Sequence, residues 1–202
     1  MSPRAYDKRL RNAASEEARR RIVAAAAALH AEIGGTATSH AMIAKRAGVS
    51  IPTVYKYFPT ANHLIPACTG LVAGRAPVAL DETLFEGRDG LPERVHAVAA
   101  AFFRLHEYYA PWMRWGAADA ASFPELRDYF KRVQDHQVAI LRLALTPKGA
   151  KAPPEPLVLI ARILLDAPSW RTLAEATHST DRAARMAADA ILSIARNLKE
   201  KP

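Results

Sequence analysis

Apolar positions recur along this chain at spacings of three and four residues, and no stretch alternates apolar with polar residues as a strand does. The pattern predicts an all-α fold. Three helices are expected near the N-terminus, over about 15–33, 39–47 and 51–58. Glycines, cap-type serines and a proline punctuate these segments, and such residues mark where helices begin and end.

Further helices are predicted for the rest of the chain from the same apolar spacing. The first of them follows a Thr60 cap over about 61–76. It contains Pro66, Gly70 and Gly74, which favour a kink or a late start. The remaining helices are predicted over about 92–109, 111–120, 124–145, 157–176 and 181–199. A Pro/Lys-rich connector is predicted at 146–156.

The stretch "AGVSIPTVYKYFP" at 47–59 indicates how the first helices are joined. Gly48 supplies a left-handed residue for a tight turn, Ser50 is a good N-cap, and Pro52 fits the first turn of a helix. Val54 and Phe58 lie four residues apart and are predicted to face inward. Two helices joined in this way form a helix-turn-helix, whose second helix reads the major groove of DNA.

The charge distribution favours the same kind of partner. The formal net charge is +8, and residues 1–58 alone hold ten Lys or Arg and four acidic residues. A basic end on a nearly neutral body indicates a polyanion-binding part and a part with another task. We therefore predict a DNA-binding domain at 1–59 and a helical effector-binding and dimerisation domain at 60–202.

The open side of the third helix carries candidate DNA contacts. The hydroxyls of Thr53 and Tyr55 suit phosphate oxygens, and Lys56 adds charge. Ile51 and Pro52 offer apolar surface to thymine methyl groups. A structural corner with exposed tyrosines is the alternative. A basic arm before the first helix is a further candidate for the DNA backbone or minor groove, with a solvated tail as its alternative; its residues are Arg4, Lys8, Arg9 and Arg11.

Residues 20–67 resemble the DNA-binding domain of tetracycline-repressor (TetR) family transcription regulators. The matching pieces are "RRIVAAAAALHAEIGG", "TSHAMIAKRAGVS" and "PTVYKYFP", and "LLDAPSWRTL" at 164–173 resembles a later helix of the family. The resemblance implies an all-helical homodimer. Its N-terminal three-helix domain would bind palindromic operator DNA, and its C-terminal helical bundle would bind a small effector that loosens the grip on DNA.

The resemblance also implies DNA contacts at individual positions. In helix two and at the start of helix three these are Ser39, His40, Ser50, Ile51, Pro52 and Thr53, and further along helix three they are Tyr55 and Tyr57. One position departs from the family pattern: Ala61 stands where a lysine is usual. One expected phosphate contact is therefore absent.

Aromatic residues crowd between 102 and 130, with a few polar groups among them. Ligand pockets have this composition, and so does the core of a helical bundle. The family resemblance favours a pocket for an apolar or aromatic molecule. Its predicted lining residues are Phe103, His106, Tyr109, Trp112, Trp115, Asp119, Asp166 and Trp170.

Two apolar stripes near the C-terminus predict a dimer surface built from two helices of each chain. An intramolecular hairpin is the alternative. The first stripe comprises Ile160, Ile163, Leu164, Trp170 and Leu173, and the second Met186, Ala190, Ile191 and Ile194. Dimerisation is favoured because helix-turn-helix proteins read half-sites ~34 Å apart, or multiples of that, through two-fold symmetry.

The remaining features narrow the class of protein. The chain has no apolar run near the ~18 residues of a membrane span and no apolar secretion signal, and its one cysteine, Cys68, fits a reducing compartment. A cytoplasmic protein without cofactor or metal is expected. Common protease, phosphate-loop and hydrolase motifs are absent. The leading hypothesis is a ligand-responsive regulator, most simply a repressor and not an enzyme; the alternatives are a helical-scaffold enzyme and a non-specific DNA-binding protein.

Overall fold

The computed structural model describes residues 3–147 and 149–199, with side chains from Asn12 to Leu198 within that part. This part of the chain contains ten α-helices, one 3-10 helix at Glu82–Phe85 and no strand, so the all-α prediction is confirmed. The helices are α1 Pro3–Ile33, α2 His40–Ala47, α3 Ile51–Tyr57, α4 Ala61–Ala73, α5 Leu91–Met113, α6 Gly116–Ser122, α7 Pro124–Leu145, α8 Glu155–Leu164, α9 Ala167–Thr177 and α10 Thr180–Lys199.

The chain divides into two compact units. The first contains the chain up to Arg75 together with Pro111–Phe130, and the second contains Ala76–Ala110 and the chain from Lys131 onward. The chain passes between them at three points: after α4 at 75–76, near the end of α5 at 110–111, and inside α7 at 130–131. The boundary predicted between functional domains at 59 and 60 stays a prediction.

The core of the first unit is formed by α1, α2, α3 and α4. Helix α1 packs against α2 and α4, and α2 packs against α3. The predicted inward positions of Val54 and Phe58 are confirmed, because both side chains are buried. The other large buried side chains of this core are Ile22, Val23, Leu29, Ile43, Leu64 and Cys68.

The core of the second unit joins apolar faces of α5, α7, α8 and α10, and α10 packs against both α8 and α9. Alanines on the inner face of α10 allow this close approach because their side chains are small. The large fully buried side chains here include Val95, Val98, Phe103, Leu141, Leu145, Val158, Leu165 and Ile191.

Helix α1 begins at Pro3, so the start predicted at Ser15 is wrong. The residues between Pro3 and Ser15 include no glycine and are largely Ala, Arg, Lys and Leu, which favour a helix. A proline is tolerated in the first turn, where its missing N–H has no helical partner to lose. The predicted basic arm is therefore helical, although the side chains of Arg4, Lys8, Arg9 and Arg11 lie outside the described residues.

Three other boundaries differ from prediction. Helix α5 continues through Pro111 to Met113, so the helix expected to end near 109 is longer, and the segment expected over 111–120 is α6 at Gly116–Ser122. The helix expected over 157–176 is two helices, α8 and α9, because Asp166 caps a new helix: its Oδ1 accepts the backbone N–H of Ser169 at 2.7 Å, and Pro168 fits the first turn. Helix α4 begins directly after Thr60 and runs through Pro66 to Ala73, so the late start expected from its glycines and proline does not occur. Within the described residues, no helix is both long and apolar enough to cross a bilayer.

Candidate nucleic-acid interface

Capping residues fix the geometry between α2 and α3. Ser39 accepts the N–H of Met42 at 3.2 Å and caps α2. Gly48 ends α2 in the left-handed region, with φ 64° and ψ 41°, a conformation that glycine adopts without strain. Ser50 caps α3 by accepting the N–H of Thr53 at 3.3 Å. The chain therefore reverses through local interactions, which sets the direction of α3.

The outward face of α3 remains open. Val54 is fully buried against α1 and α2, whereas Ile51 is 44% and Tyr55 is 52% exposed. Pro52 and Lys56 are exposed as well. A seven-residue helix with an apolar inner side and a mixed outer side is suited to lie in a groove, because its outer residues need no internal partner.

His40 couples α2 to this face. Its ring stacks on the Tyr55 ring, with centroids 4.4 Å apart and planes 5° from parallel, and its Nε2 donates to the carbonyl of Phe58 at 2.8 Å. The hydroxyl of Tyr55 has no protein hydrogen-bond partner among the described residues. The stack therefore holds the phenol ring in one orientation and leaves its polar end to an external acceptor.

The other predicted hydroxyls already have partners. The Oγ atoms of Ser50 and Thr53 lie 2.7 Å apart, and the hydroxyl of Tyr57 lies 2.6 Å from Oγ of Ser15 in α1. A hydroxyl both donates and accepts, so each pair retains hydrogen-bonding capacity. If Ser15 donates to Tyr57, the Tyr57 proton stays available to a phosphate.

Sequence reasoning missed two residues of α1 beside the end of α3. One is Ser15, which bonds Tyr57. The other is Arg19, whose guanidinium lies 5.7 Å from the centre of the Phe58 ring. The signal was present, since these residues lie four apart and share one face of a helix. The helix predicted to begin at about residue 15 does not extend this face past Ser15, which obscured the signal.

The exposed cations near the helix-turn-helix differ in whether an acidic side chain already pairs with them. Arg46 makes a two-pronged ion pair with Glu32, at 2.7 and 2.8 Å. Hydrogen bonding within this pair raises the pKa of Arg46 and lowers the pKa of Glu32. Its neighbour Lys45 is exposed, and Lys56 lies 5.6 Å from the Tyr57 ring centre. Lys45 and Lys56 are therefore better placed than Arg46 to neutralise a phosphate.

The turn between α1 and α2 is held by Asp119 from α6. Its carboxylate accepts the backbone N–H groups of Gly35 and Thr36, at 2.7 and 2.9 Å, and the Thr36 hydroxyl at 2.7 Å. Asp119 is only 7% exposed. A buried carboxylate needs such donors to offset its lost hydration. The predicted effector anchor thus has a structural task in the first unit.

Two of the predicted effector-site tryptophans bond α1 in the same unit. Nε1 of Trp112 donates to the carbonyl of Ala27 at 2.8 Å, and Nε1 of Trp115 donates to the carbonyl of Ala31 at 3.3 Å. The Trp115 ring also lies under the turn, because a Cβ at Gly34 would lie 3.1 Å from it. These side chains help to position α1 and the turn after it.

The other predicted effector residues lie in the second unit. His106 is half-buried and donates from Nε2 to the carbonyl of Leu165 at 2.9 Å. The ring centres of Phe103 and Trp170 lie 6.3 and 6.2 Å from that of His106. Asp166 caps α9, the helix that carries Trp170. Burial lowers the pKa of His106. Tyr109 belongs to the same unit, where its ring lies 4.9 Å from that of Tyr108.

Two cavities are lined by other residues. The first unit has a small cavity of about 40 Å³ beside His30, His40 and Phe123. The second unit has an open cleft of about 520 Å³, lined by Pro77, Arg104, Glu107, Tyr108, Ser179, Thr180 and Asp181. Neither is lined by a residue of the predicted effector set, which stays a prediction. Among the described residues, no group of three or more His, Cys, Asp or Glu is arranged to hold a metal ion.

The three-helix core, the glycine turn and the open face of α3 define a helix-turn-helix DNA-binding domain. Residues 22–68 match the family model of bacterial regulatory proteins of the tetR family. The match confirms the resemblance seen in the sequence: the chain is a DNA-binding transcriptional regulator with a tetR-family N-terminal domain. No curated protein matches the chain significantly.

Proposed function

We propose that the protein is a ligand-responsive repressor that binds palindromic operator DNA as a homodimer and is released by a small apolar or aromatic effector. The observation that carries the proposal is the open face of α3. Its apolar N-terminal residues, Ile51 and Pro52, lie one turn from the free phenol of Tyr55 and the ammonium of Lys56. Base edges and phosphates need these two kinds of contact.

The position and existing partners of each side chain indicate whether it would contact a base edge or a phosphate. Ile51, Pro52 and Thr53 would meet base edges, because the first turn of a recognition helix enters deepest into the groove. Tyr55 and Lys56 would bind phosphates. Ser39, Ser50 and Tyr57 would add hydroxyl contacts at the rim, and His40 would act chiefly by holding Tyr55.

A two-fold dimer would use apolar side chains on α8 and α10. Ile163 is 64% exposed on α8, Leu159 lies four residues earlier on the same face, and Met186 is 51% exposed on α10. Ala190 follows Met186 by four residues and is exposed too. Exposed apolar side chains that recur at helical spacing favour contact with a protein partner. Ile191, placed in the predicted stripe, belongs instead to the core, because it is fully buried.

An effector would act through the second unit. His106 lies beside the rings of Phe103 and Trp170, and Asp166 caps the helix that carries Trp170. Aromatic residues with a few polar groups among them have the composition of many ligand sites. Trp112, Trp115 and Asp119 belong to the other compact unit, where the tryptophans bond α1 and Asp119 bonds the turn after it. We therefore propose the His106 group as the effector-binding part of the predicted set.

The DNA proposal is tested on a duplex that the wild-type protein selects from a random pool. Thr53→Ala with Tyr55→Phe removes two proposed contacts, and about 2 kcal/mol, or roughly 30-fold, should be lost in a mobility-shift titration at fixed salt. Thr172→Ala on the exposed face of α9 is the control and should bind as wild type does. Equal affinity of the double variant and this control would show that α3 does not read DNA as proposed.

Competition between the selected duplex and random duplexes separates a regulator from a non-specific binder. A specific regulator prefers its site by at least ~10³-fold at physiological salt. Equal competition by both duplexes would favour the non-specific alternative.

The dimer proposal is tested by light scattering after size exclusion. Ile163→Asp with Met186→Asp should convert the dimer into monomers, because two charges would be buried in an apolar contact. The matched control is Leu143→Asp on α7, which is also an exposed apolar side chain. A monomeric wild-type protein, or a double variant as dimeric as the control, would contradict the proposal.

The effector proposal is tested by a thermal-shift screen of apolar and aromatic compounds. Compounds that stabilise the wild type should lose that effect in His106→Phe and should release DNA in the mobility-shift assay. Compounds that release DNA equally from both proteins would place the effector elsewhere.

A further inference from the structure

The N-terminal part of α1 extends well beyond the part of the chain that matches the family model. Helix α1 is continuous over Pro3–Ile33, whereas the match begins at residue 22. At ~1.5 Å per residue, the stretch from Pro3 to Arg21 adds about 28 Å of helix. Helix propensity favours this extension, but from Asn12 to Arg21 its side chains are exposed or half-buried, so it contributes little to the core of the unit.

The described residues show which face of this extension is turned toward α3. Ser15 bonds the hydroxyl of Tyr57 at 2.6 Å, and Arg19 lies over the Phe58 ring at 5.7 Å. One more turn along, at nearly the same helical angle, Ile22 is fully buried in the core. This stripe of α1 therefore runs from the core of the unit to the C-terminal edge of the recognition helix.

The same stripe continues toward the N-terminus through basic residues. Arg11, Lys8 and Arg4 occupy the positions four, seven and eleven residues before Ser15. At ~100° per residue, these positions fall within about 40° of Ser15 around the helix. The acidic residues of this half of α1 are Asp7, Glu16 and Glu17, and all occupy other register positions. Arg4, Lys8 and Arg11 therefore share the helical register of Ser15, the residue that bonds Tyr57.

We propose that the N-terminal half of α1 is a second DNA-binding element, which lies along the sugar-phosphate backbone beside the groove that α3 occupies. Its occupant is the phosphate backbone of duplex DNA, because lysine and arginine at helical spacing match a line of phosphates and carry no sequence information by themselves. The inference rests on the proposed use of α3, since the stripe leads to the end of that helix.

The test compares two double variants that remove the same charge from the same helix. Lys8→Gln with Arg11→Gln alters the stripe, and Arg9→Gln with Arg20→Gln alters register positions more than 100° away from it. Glutamine preserves helix propensity, which circular dichroism verifies. Affinity for the selected duplex is measured across a range of salt concentrations.

The stripe variant should lower the slope of log affinity against log salt by ~2 per protomer, because each lost phosphate contact changes it by about 0.9. The loss should be the same on selected and random duplexes. Equal slopes for the two variants would overturn the proposal, and so would wild-type binding to phosphatidylglycerol vesicles that the stripe variant loses while its DNA slope is unchanged.

Failure of this inference is distinguishable from failure of the α3 proposal. If Thr53→Ala with Tyr55→Phe loses affinity while the stripe variant keeps the wild-type slope, only the α1 element is wrong. If the stripe variant loses slope while the α3 variant binds normally, α1 binds DNA and the recognition helix has been misassigned.

Discussion

Replacing Asp119 by alanine tests whether the turn between α1 and α2 depends on a single carboxylate. The change removes three hydrogen bonds, to the N–H groups of Gly35 and Thr36 and to the Thr36 hydroxyl, all between 2.7 and 2.9 Å. These donors lie 83 and 84 residues away in sequence, so nothing local replaces the acceptor. The turn would lose its only carboxylate acceptor among the described residues.

The expected loss of stability follows from the number and burial of these bonds. Hydrogen bonds to a charged group contribute about 1.5–3 kcal/mol each. If the three bonds added without any compensation, their loss would lower the free energy of unfolding by more than about 4 kcal/mol. Two effects reduce this figure: Thr36 is exposed, so water reaches its donors, and removing Asp119 also removes the cost of burying its charge. We expect a net loss of about 2–3 kcal/mol.

Urea titration followed by circular dichroism measures the effect. With a slope of about 2 kcal/mol per molar urea, the midpoint should fall by roughly 1 M or slightly more. Asp128→Ala removes an exposed carboxylate from α7 in the same unit and serves as the control. Hydrogen exchange at Gly35 and Thr36 should accelerate in Asp119→Ala alone. A midpoint equal to that of the control, with both amides still protected, would refute the reasoning.

Three further predictions concern single residues. Gly48→Ala should cost about 1–2 kcal/mol in urea titration because its φ is positive, and Gly34→Ala should cost more because the added Cβ would also lie 3.1 Å from the Trp115 ring; equal losses would contradict this. Burial raises the pKa of Cys68 to about 12, so a thiol reagent at neutral pH should modify it only as fast as the protein opens. Burial lowers the pKa of His106 in the folded protein below the ordinary value of 6.5. The free energy of unfolding therefore decreases as the pH falls below 6.5, because the unfolded chain takes up a proton at His106 more readily than the folded protein does. His106→Phe should reduce the loss of stability between pH 7 and about pH 5 in urea titrations.

The helix-turn-helix was predictable because its determinants are local. Gly48 must adopt a positive φ, Ser50 must accept an N–H three residues on, and Val54 and Phe58 share one face of a short helix. Each rule operates within four residues, which is the range over which a sequence pattern carries reliable information. The break between α8 and α9 had an equally local signal in Asp166 and was missed because apolar spacing continues across it.

The parts that could not be predicted depend on contacts between distant segments. Nothing near Asp119 in sequence indicates that its acceptors face Gly35 and Thr36, and nothing near His40 indicates that its ring stacks on Tyr55. Both residues were predicted to be functional from their type and position, but the sequence did not reveal the partners that they have within the fold. The hydrogen bonds of Asp119 to the turn are an additional role, and its role in binding an effector stays a prediction.

The same reasoning applies to the aromatic residues between 102 and 130. Apolar and aromatic spacing reports that a face of a helix is buried, but it does not report which neighbour covers that face. Phe103 and His106 contribute to the second unit, whereas Trp112 and Trp115 bond carbonyls of α1 in the first, because the chain passes from one unit to the other at residue 111. Aromatic residues that are adjacent in sequence therefore have two different tasks. Variants at Trp112 or Trp115 should act on the stability of the DNA-binding unit, and only variants around His106 are expected to change the response to an effector.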